Sequence, residues 1–129
     1  MIETALALLL AIAAAQQQPT PTPARHATVV RIIDGDSIVV DIDVGLNIRL
    51  AGQPLRLLGI DAPETRGDSR PAGLAARDAL AGRLDIGQTI VIMPHGRGKY
   101  GRLLVVIFEG GQNINDWMID SGHARPYQK

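Results

Sequence analysis

Past residue 26 the chain switches repeatedly between two hydrophobic periods. "ATVVRIID" (Ala27 to Asp34) is β-branched and reads as a strand. Asp34-Gly35-Asp36 reads as a turn, with Gly35 able to take a positive φ between two strands. In "SIVVDIDV", Val40, Ile42 and Val44 alternate with Asp41 and Asp43, the pattern of a half-buried second strand. "NIRLA" and "PLRLLGI" read as two further strands divided by a glycine turn, and consecutive short strands of this kind form an antiparallel meander. "PAGLAARDALAGRL" (Pro71 to Leu84) carries helical spacing. Ala72, Ala76, Ala79, Leu80 and Leu84 make its apolar face, and Pro71 suits its first position. "QTIVIMP" and "RLLVVIF" return to strand character around the polar, glycine-rich "HGRGKYG". Asn113 caps a last short helix with Ile114, Trp117 and Met118 inward, and Gly122 ends it. The pattern predicts an α+β fold, mainly β, and a small closed barrel is the economical way to hide so many strand edges.

The amino-terminal run breaks both periods. "MIETALALLLAIAAA" (residues 1–15) is continuously apolar, and Ala13 and Ala15 suit a signal-peptidase site before Gln16. The run is short for a membrane span, which takes about 20 residues, and Glu3 stands where a signal peptide carries a cation. A signal peptide is the first reading, implying an exported protein (periplasmic or secreted). An uncleaved anchor tethering the domain to a membrane and a misplaced start are the alternatives. "QQQPTPTPAR" (residues 16–25) reads as an extended linker, and the folded domain as residues 26–129.

Composition narrows the chemistry. The chain has no Cys, which excludes disulfides and thiolate metal sites, and its three His are far apart and match no metal-ligand spacing. Formal net charge is zero, so there is no overall basic signature for nucleic acid. The charge is uneven, however: eight Lys or Arg against five Asp or Glu lie between Arg56 and Arg102.

The densest chemistry lies in "LRLLGIDAPE" (Leu55 to Glu64). Side chains alternate along a strand, which places Arg56 with Leu58 and Ile60, and Leu55 with Leu57 and Gly59. Arg56 among apolar neighbours needs an anion, because an unpaired buried charge is costly. Asp36 and Asp61 both emerge at strand ends. Two carboxylates brought together there repel, a hard divalent cation relieves the repulsion, and oxygen-only donors favour Ca²⁺ or Mg²⁺ over zinc. Arg56 and Arg102 are natural forks for phosphate oxygens. Glu64, three residues past Asp61, is free to orient or deprotonate a water. Each of these residues alone has an ordinary reading as turn or ion-pair residue; together they describe phosphodiester hydrolysis.

"VVRIIDGDSIVV", "LRLLGIDAPE", "GKYGRLLVVIF" and "NINDWMIDSGHA", in this order, resemble the thermonuclease family, the staphylococcal nuclease-like domain. The resemblance implies a five-stranded OB-type Greek-key barrel with two packed helices. It implies Ca²⁺ held by Asp36, Asp61 and the backbone carbonyl of Ala62, with Ser37 and Asp34 in the outer shell. It also implies Arg56 and Arg102 on the phosphate, Glu64 as general base, and Lys99 and Tyr100 on a terminal phosphate. Tyr127 is a looser match, either a base-stacking aromatic or an ordinary tail residue. The implied reaction is calcium-dependent endonucleolytic hydrolysis of DNA and RNA, single strands preferred, with cleavage at the 5′ oxygen to leave 3′-phosphates. No obligate protein partner is implied, and the chain reads as a monomer. Gly98 replaces an Asp common in the family outside the catalytic set. The span from Asp36 to Arg56 exceeds that of the best-known member, predicting a longer hairpin with residues 47–53 extended. Two other classes compete: a catalytically weak OB-type module that binds nucleic acid or protein, and a domain that uses Ca²⁺ only for stability.

Overall fold

The computed structural model describes residues 23–127; residues 1–15, read above as signal peptide or anchor, and most of the linker lie outside that range. Among the described residues no helix is long and apolar enough to cross a membrane.

Among the described residues, eight strands and two helices follow in the order β1 (Arg25–Asp34), β2 (Ser37–Asp43), β3 (Arg49–Leu57), β4 (Ile60–Asp61), α1 (Arg70–Arg83), β5 (Thr89–Arg97), β6 (Leu103–Glu109), β7 (Gln112–Asn113), α2 (Ile114–Asp120) and β8 (Arg125–Pro126). A single 3₁₀ turn, Gly67–Ser69, leads into α1. β1, β2 and β3 form the predicted antiparallel meander, β5 pairs with β1, and β6 with β5. The parallel pairing of β3 with β6, Arg56 opposite Leu104, then closes a five-stranded barrel. Closure removes the edges that a flat sheet of these strands would expose. The core is one continuous cluster. Val29, Ile38, Leu55, Leu57, Ile90, Ile92, Val105 and Ile107 join Ala76, Leu80 and Leu84 near α1, and Ile114 and Met118 from α2.

Four details differ from the sequence reading. "NIRLA" and "PLRLLGI" are not two strands: β3 runs unbroken from Arg49 to Leu57. Gly52, at φ 63°, is absorbed beside an irregularity in the ladder between Val40 and Ile42, and its N–H donates to Asp41 Oδ1 at 2.8 Å. A glycine between strand-like runs therefore marks a bulge here, not a chain reversal. Second, β3 stops at Leu57. Leu58 and Gly59 (φ 79°) turn the chain, so Ile60 is buried rather than sharing an outward face with Arg56. Third, Gly35 has no positive φ. A Cβ there would stand 2.7 Å from Ala76 Cβ and 2.8 Å from Ala62 Cβ, so the turn needs glycine for close approach to α1 and the Ala62 loop. Fourth, α1 buries Gly73, Ala76 and Leu80, with Ala72 exposed and Pro71 at the second position. Gly73 holds the place assigned to Ala72 because its missing side chain lets the helix meet the backbone of Glu64 and Thr65.

Asn113 caps α2 as expected, its side chain accepting the Asp116 N–H at 3.0 Å. Gly122, at φ 80°, ends that helix, and the His123 N–H returns to the Met118 carbonyl at 3.0 Å. An ion pair between Arg83 and Glu109, supported by Gln112, ties the end of α1 to the end of β6.

Candidate active site

Three strand ends converge on one guanidinium. Asp36 ends the β1–β2 turn and is 8% exposed, Arg56 sits near the end of β3, and Asp61 closes β4. Arg56 Nη2 lies 3.6 Å from Asp36 Oδ2 and 3.7 Å from Asp61 Oδ1. Its Nη1 donates to the carbonyls of Ile60 at 3.1 Å and Leu57 at 3.3 Å, so the guanidinium is bolted to the Leu58–Gly59 turn that separates the two strands. The sequence argument that Arg56 needs an anion is met by both carboxylates at once.

Asp36 is held from several sides. Its Oδ2 accepts the Ala62 N–H at 2.9 Å, and its own N–H donates to Asp34 Oδ1 at 3.1 Å. Burial pushes the Asp36 carboxyl above the usual carboxylate range, and Asp34 adds to that push. The Ala62 N–H and the Arg56 cation pull the other way. Ser37 Oγ donates to Asp36 Oδ1 at 3.3 Å and accepts from Arg102 Nη1 at 2.8 Å. Ser37 therefore bridges the carboxylate to the second arginine. Arg102 is delivered by the β5–β6 hairpin, whose turn is closed by the Gly98 N–H on the Arg102 carbonyl at 2.8 Å.

Two cavities meet at the Arg56–Asp61 pair. The larger, about 1000 Å³, is bounded by Arg56, Arg102, Lys99, Tyr100 and Tyr127 over an apolar wall of Leu57, Leu58, Ile60 and Leu104. Tyr127, the loosest match in sequence, lies with its ring centroid 5.6 Å from the Arg56 guanidinium carbon. Lys99 Nζ sits 5.4 Å from the Tyr100 ring centroid. The smaller cavity, about 510 Å³, contains Asp61, Ala62, Glu64, Ser69, His123 and Arg125. Glu64 is exposed and lines this second cavity, whereas Arg56 and Arg102 line the larger one.

Three residues escaped the sequence reading. Arg125 pairs with Asp61, Nη2 to Oδ2 at 3.3 Å. Asn115, 3% exposed, donates through Nδ2 to the carbonyls of Leu58 at 2.9 Å and Val105 at 3.0 Å and accepts the Ile107 N–H at 3.1 Å. It fixes the turn that carries Arg56 and Asp61. His123 lines the smaller cavity. For Asn115 a signal was available: a polar residue one position past the buried Ile114 interrupts the apolar side of a helix.

Among the described residues no three His, Asp or Glu side chains are grouped to hold a metal. Asp34 touches Asp36 through the backbone N–H, and Glu64 lies in the smaller cavity with Asp61. The fit to a hard cation rests on that pair, two oxygen-only donors converging within 3.7 Å of one guanidinium nitrogen, with the Asp61 side chain 36% exposed. Such a donor set suits an ion that completes its shell with backbone carbonyls and water.

A sequence model described as "Staphylococcal nuclease homologue" matches residues 54–129. The chain belongs to the staphylococcal nuclease family. Its relatives include an "Uncharacterized endonuclease" of Escherichia coli, 34% identical over 81% of this chain and 62% of that protein. The "Thermonuclease" of Staphylococcus hyicus is 32% identical over 75% of this chain and 56% of its own length. "Protein ParB" of Escherichia coli is 34% identical over 78% of this chain and 56% of that protein. The chain thus spans less than two thirds of these relatives. Family membership and the barrel support a nuclease-type function.

Proposed function

We propose that the domain is a calcium-dependent endonuclease that hydrolyses DNA and RNA with little sequence specificity. The observation that carries this reading is the shared environment of Arg56, Asp36, Asp61 and Arg102: Arg56 faces both carboxylates, Ser37 links Asp36 to Arg102, and the two guanidiniums line a cavity large enough for a nucleotide. Arg56 and Arg102 bind the non-bridging oxygens of the scissile phosphate and stabilise the charge that grows there as the water adds. Asp36 and Asp61 hold the Ca²⁺, with Ala62 contributing its carbonyl, and the ion when bound supplies Lewis-acid polarisation of the phosphate. Ser37 keeps Arg102 and Asp36 in register. Glu64 accepts a proton from the attacking water, or orients it, from the side of the smaller cavity. The 5′ oxygen leaves on the opposite side and a 3′-phosphate remains. The larger cavity takes the departing nucleoside, with Tyr100 and Tyr127 as stacking faces and Lys99 beside them. Contacts of this kind address phosphates and ring faces, not base edges, so single strands are the preferred substrate. The apolar amino terminus fits an exported enzyme.

Glu64→Gln and Arg102→Ala should each lower turnover of denatured DNA by roughly 10²-fold or more, the scale of losing one transition-state group. EDTA should abolish activity and Ca²⁺ restore it. Near-normal turnover in both variants, or full activity in EDTA, would overturn the reading.

A further inference from the structure

The smaller cavity holds a cation that the proposed chemistry leaves unused. Arg125 is fixed in place by the ladder between β4 and β8, where it stands opposite Asp61, and by the Tyr127 N–H on the Gly59 carbonyl at 2.9 Å. Its side chain is 82% exposed and touches Asp61 through one nitrogen at 3.3 Å. An ion pair this exposed contributes little to stability. The guanidinium faces a cavity of about 510 Å³ shared with His123, Ser69 and Glu64. Ser69 Oγ donates to the Glu64 carbonyl at 3.0 Å and so holds that wall.

Substitution at phosphorus decides which part of the substrate enters. The attacking water and the leaving oxygen stand on opposite sides of the phosphorus. Glu64 holds the water on the side of the smaller cavity, so the 5′ oxygen and its nucleoside depart into the larger one. On that reading, the nucleotide that keeps the phosphate, bonded through its 3′ oxygen, leaves the phosphorus sideways, and Asp61, which pairs with Arg56 and lines the smaller cavity, marks a route for it into that cavity. The two oxygens of Asp61 are flanked by different cations, Oδ1 by Arg56 and Oδ2 by Arg125. Two guanidiniums one carboxylate apart can take successive phosphates of one extended strand.

We propose that Arg125, with His123 beside it, forms a subsite for the phosphate on the 5′ side of the nucleotide upstream of the cleaved bond. The subsite deepens the nuclease reading and rests on it. It gives the enzyme a preference for internal bonds and for 5′-phosphorylated ends, because a bond whose upstream nucleotide ends in a free 5′-hydroxyl lacks the phosphate that Arg125 grips.

Binding to the full chain in EDTA, where no bond is cut, tests it by calorimetry. The probes are a thymidine dinucleotide with no terminal phosphate, with a 5′-phosphate, and with a 3′-phosphate. In the unaltered protein the 5′-phosphate should tighten binding about tenfold, the order of one charge-assisted contact. Arg125→Gln should cut that gain to about twofold or less while keeping the gain from the 3′-phosphate, which falls near Lys99. The proposal is overturned if the 5′-phosphate adds nothing in the unaltered protein, or if Arg125→Gln keeps the full gain. It is equally overturned if the variant loses both gains alike, which would mark a general field. Turnover of long single-stranded DNA with Ca²⁺ reads the parent hypothesis separately. No turnover beside an intact 5′-phosphate effect would remove the nuclease reading and leave the subsite as part of a binding surface.

Discussion

Gly35 and Gly73 assemble the site by having no side chain. Gly35 brings the Asp36 turn against Ala76 and Ala62, and Gly73 brings α1 onto the loop that carries Glu64. At Gly73 an added Cβ would lie 2.1 Å from the Glu64 carbonyl oxygen, and backbone cannot swing aside as a flexible side chain can. Gly73→Ala therefore works against itself. It gains up to about 1 kcal/mol of helix propensity but forces helix and loop apart, at roughly 1–3 kcal/mol for overpacking. The expected outcome is a lower urea midpoint together with a reduced kcat, because the displaced backbone carries Glu64. A variant as stable and as active as the parent would show that the helix does not position that loop.

At the scale of elements, the β2–β3 hairpin carries visible backbone strain. Its tip holds Gly45, Leu46 and Asn47 at φ 86°, 55° and 59° in succession, closed by the Val44 N–H on the Ile48 carbonyl at 3.0 Å. Leu46 is 92% exposed, so its side chain offsets none of the left-handed cost, about 1–2 kcal/mol for a non-glycine residue. Leu46→Gly should raise stability by roughly 0.5–1 kcal/mol in urea unfolding, the strain relief being partly offset by the freer unfolded chain. An unchanged or lower midpoint would mean the tip is packed more than its exposure shows. That a hairpin lies between Asp36 and Arg56 was legible from the strand patterns on either side of Gly45. Its interior was less so, because glycine signals a turn and a bulge alike, and only the cross-strand partner Asp41 decides between them at Gly52. The strands of the barrel were legible because β-branched residues and period-two alternation coincide in them. The meander was also readable, since its neighbours in sequence are neighbours in space. Closure itself was expected, but the pairing that makes it, β3 with β6, was not readable, because parallel pairing joins residues far apart in the chain with no local signal.

For the whole molecule, closure of the barrel completes the site. Asp36 and Arg56 already meet through the β2–β3 ladder, where Ser37 stands opposite Arg56, and Asp61 follows one turn later, but Arg102, from the β5–β6 hairpin, joins them only when β3 and β6 pair. The neighbours Asp36, Arg56, Asp61 and Arg102 could be named from short motifs, whereas Arg125, which reaches Asp61 through the β4–β8 ladder, could not. The same coupling sets the response to pH. Asp36 has a raised pKa in the folded chain, chiefly through burial, so the native state holds its proton more tightly than the unfolded state does. Its contribution to stability is fully present below the unfolded pKa and is lost as pH rises through the folded one. Above the raised pKa the ionised, buried carboxylate is thus a cost, which a cation held there, as proposed, would offset. Ca²⁺ should raise the melting temperature little in acid, where it competes with the proton on Asp36, and increasingly as pH climbs past the raised pKa. Asp36→Asn should abolish most of that Ca²⁺ response and flatten its pH dependence. Melting curves from pH 4 to pH 8, with Ca²⁺ and with EDTA, measure both. A Ca²⁺ shift that is constant across this range, or that survives in Asp36→Asn, would place the ion somewhere other than against the buried carboxylate.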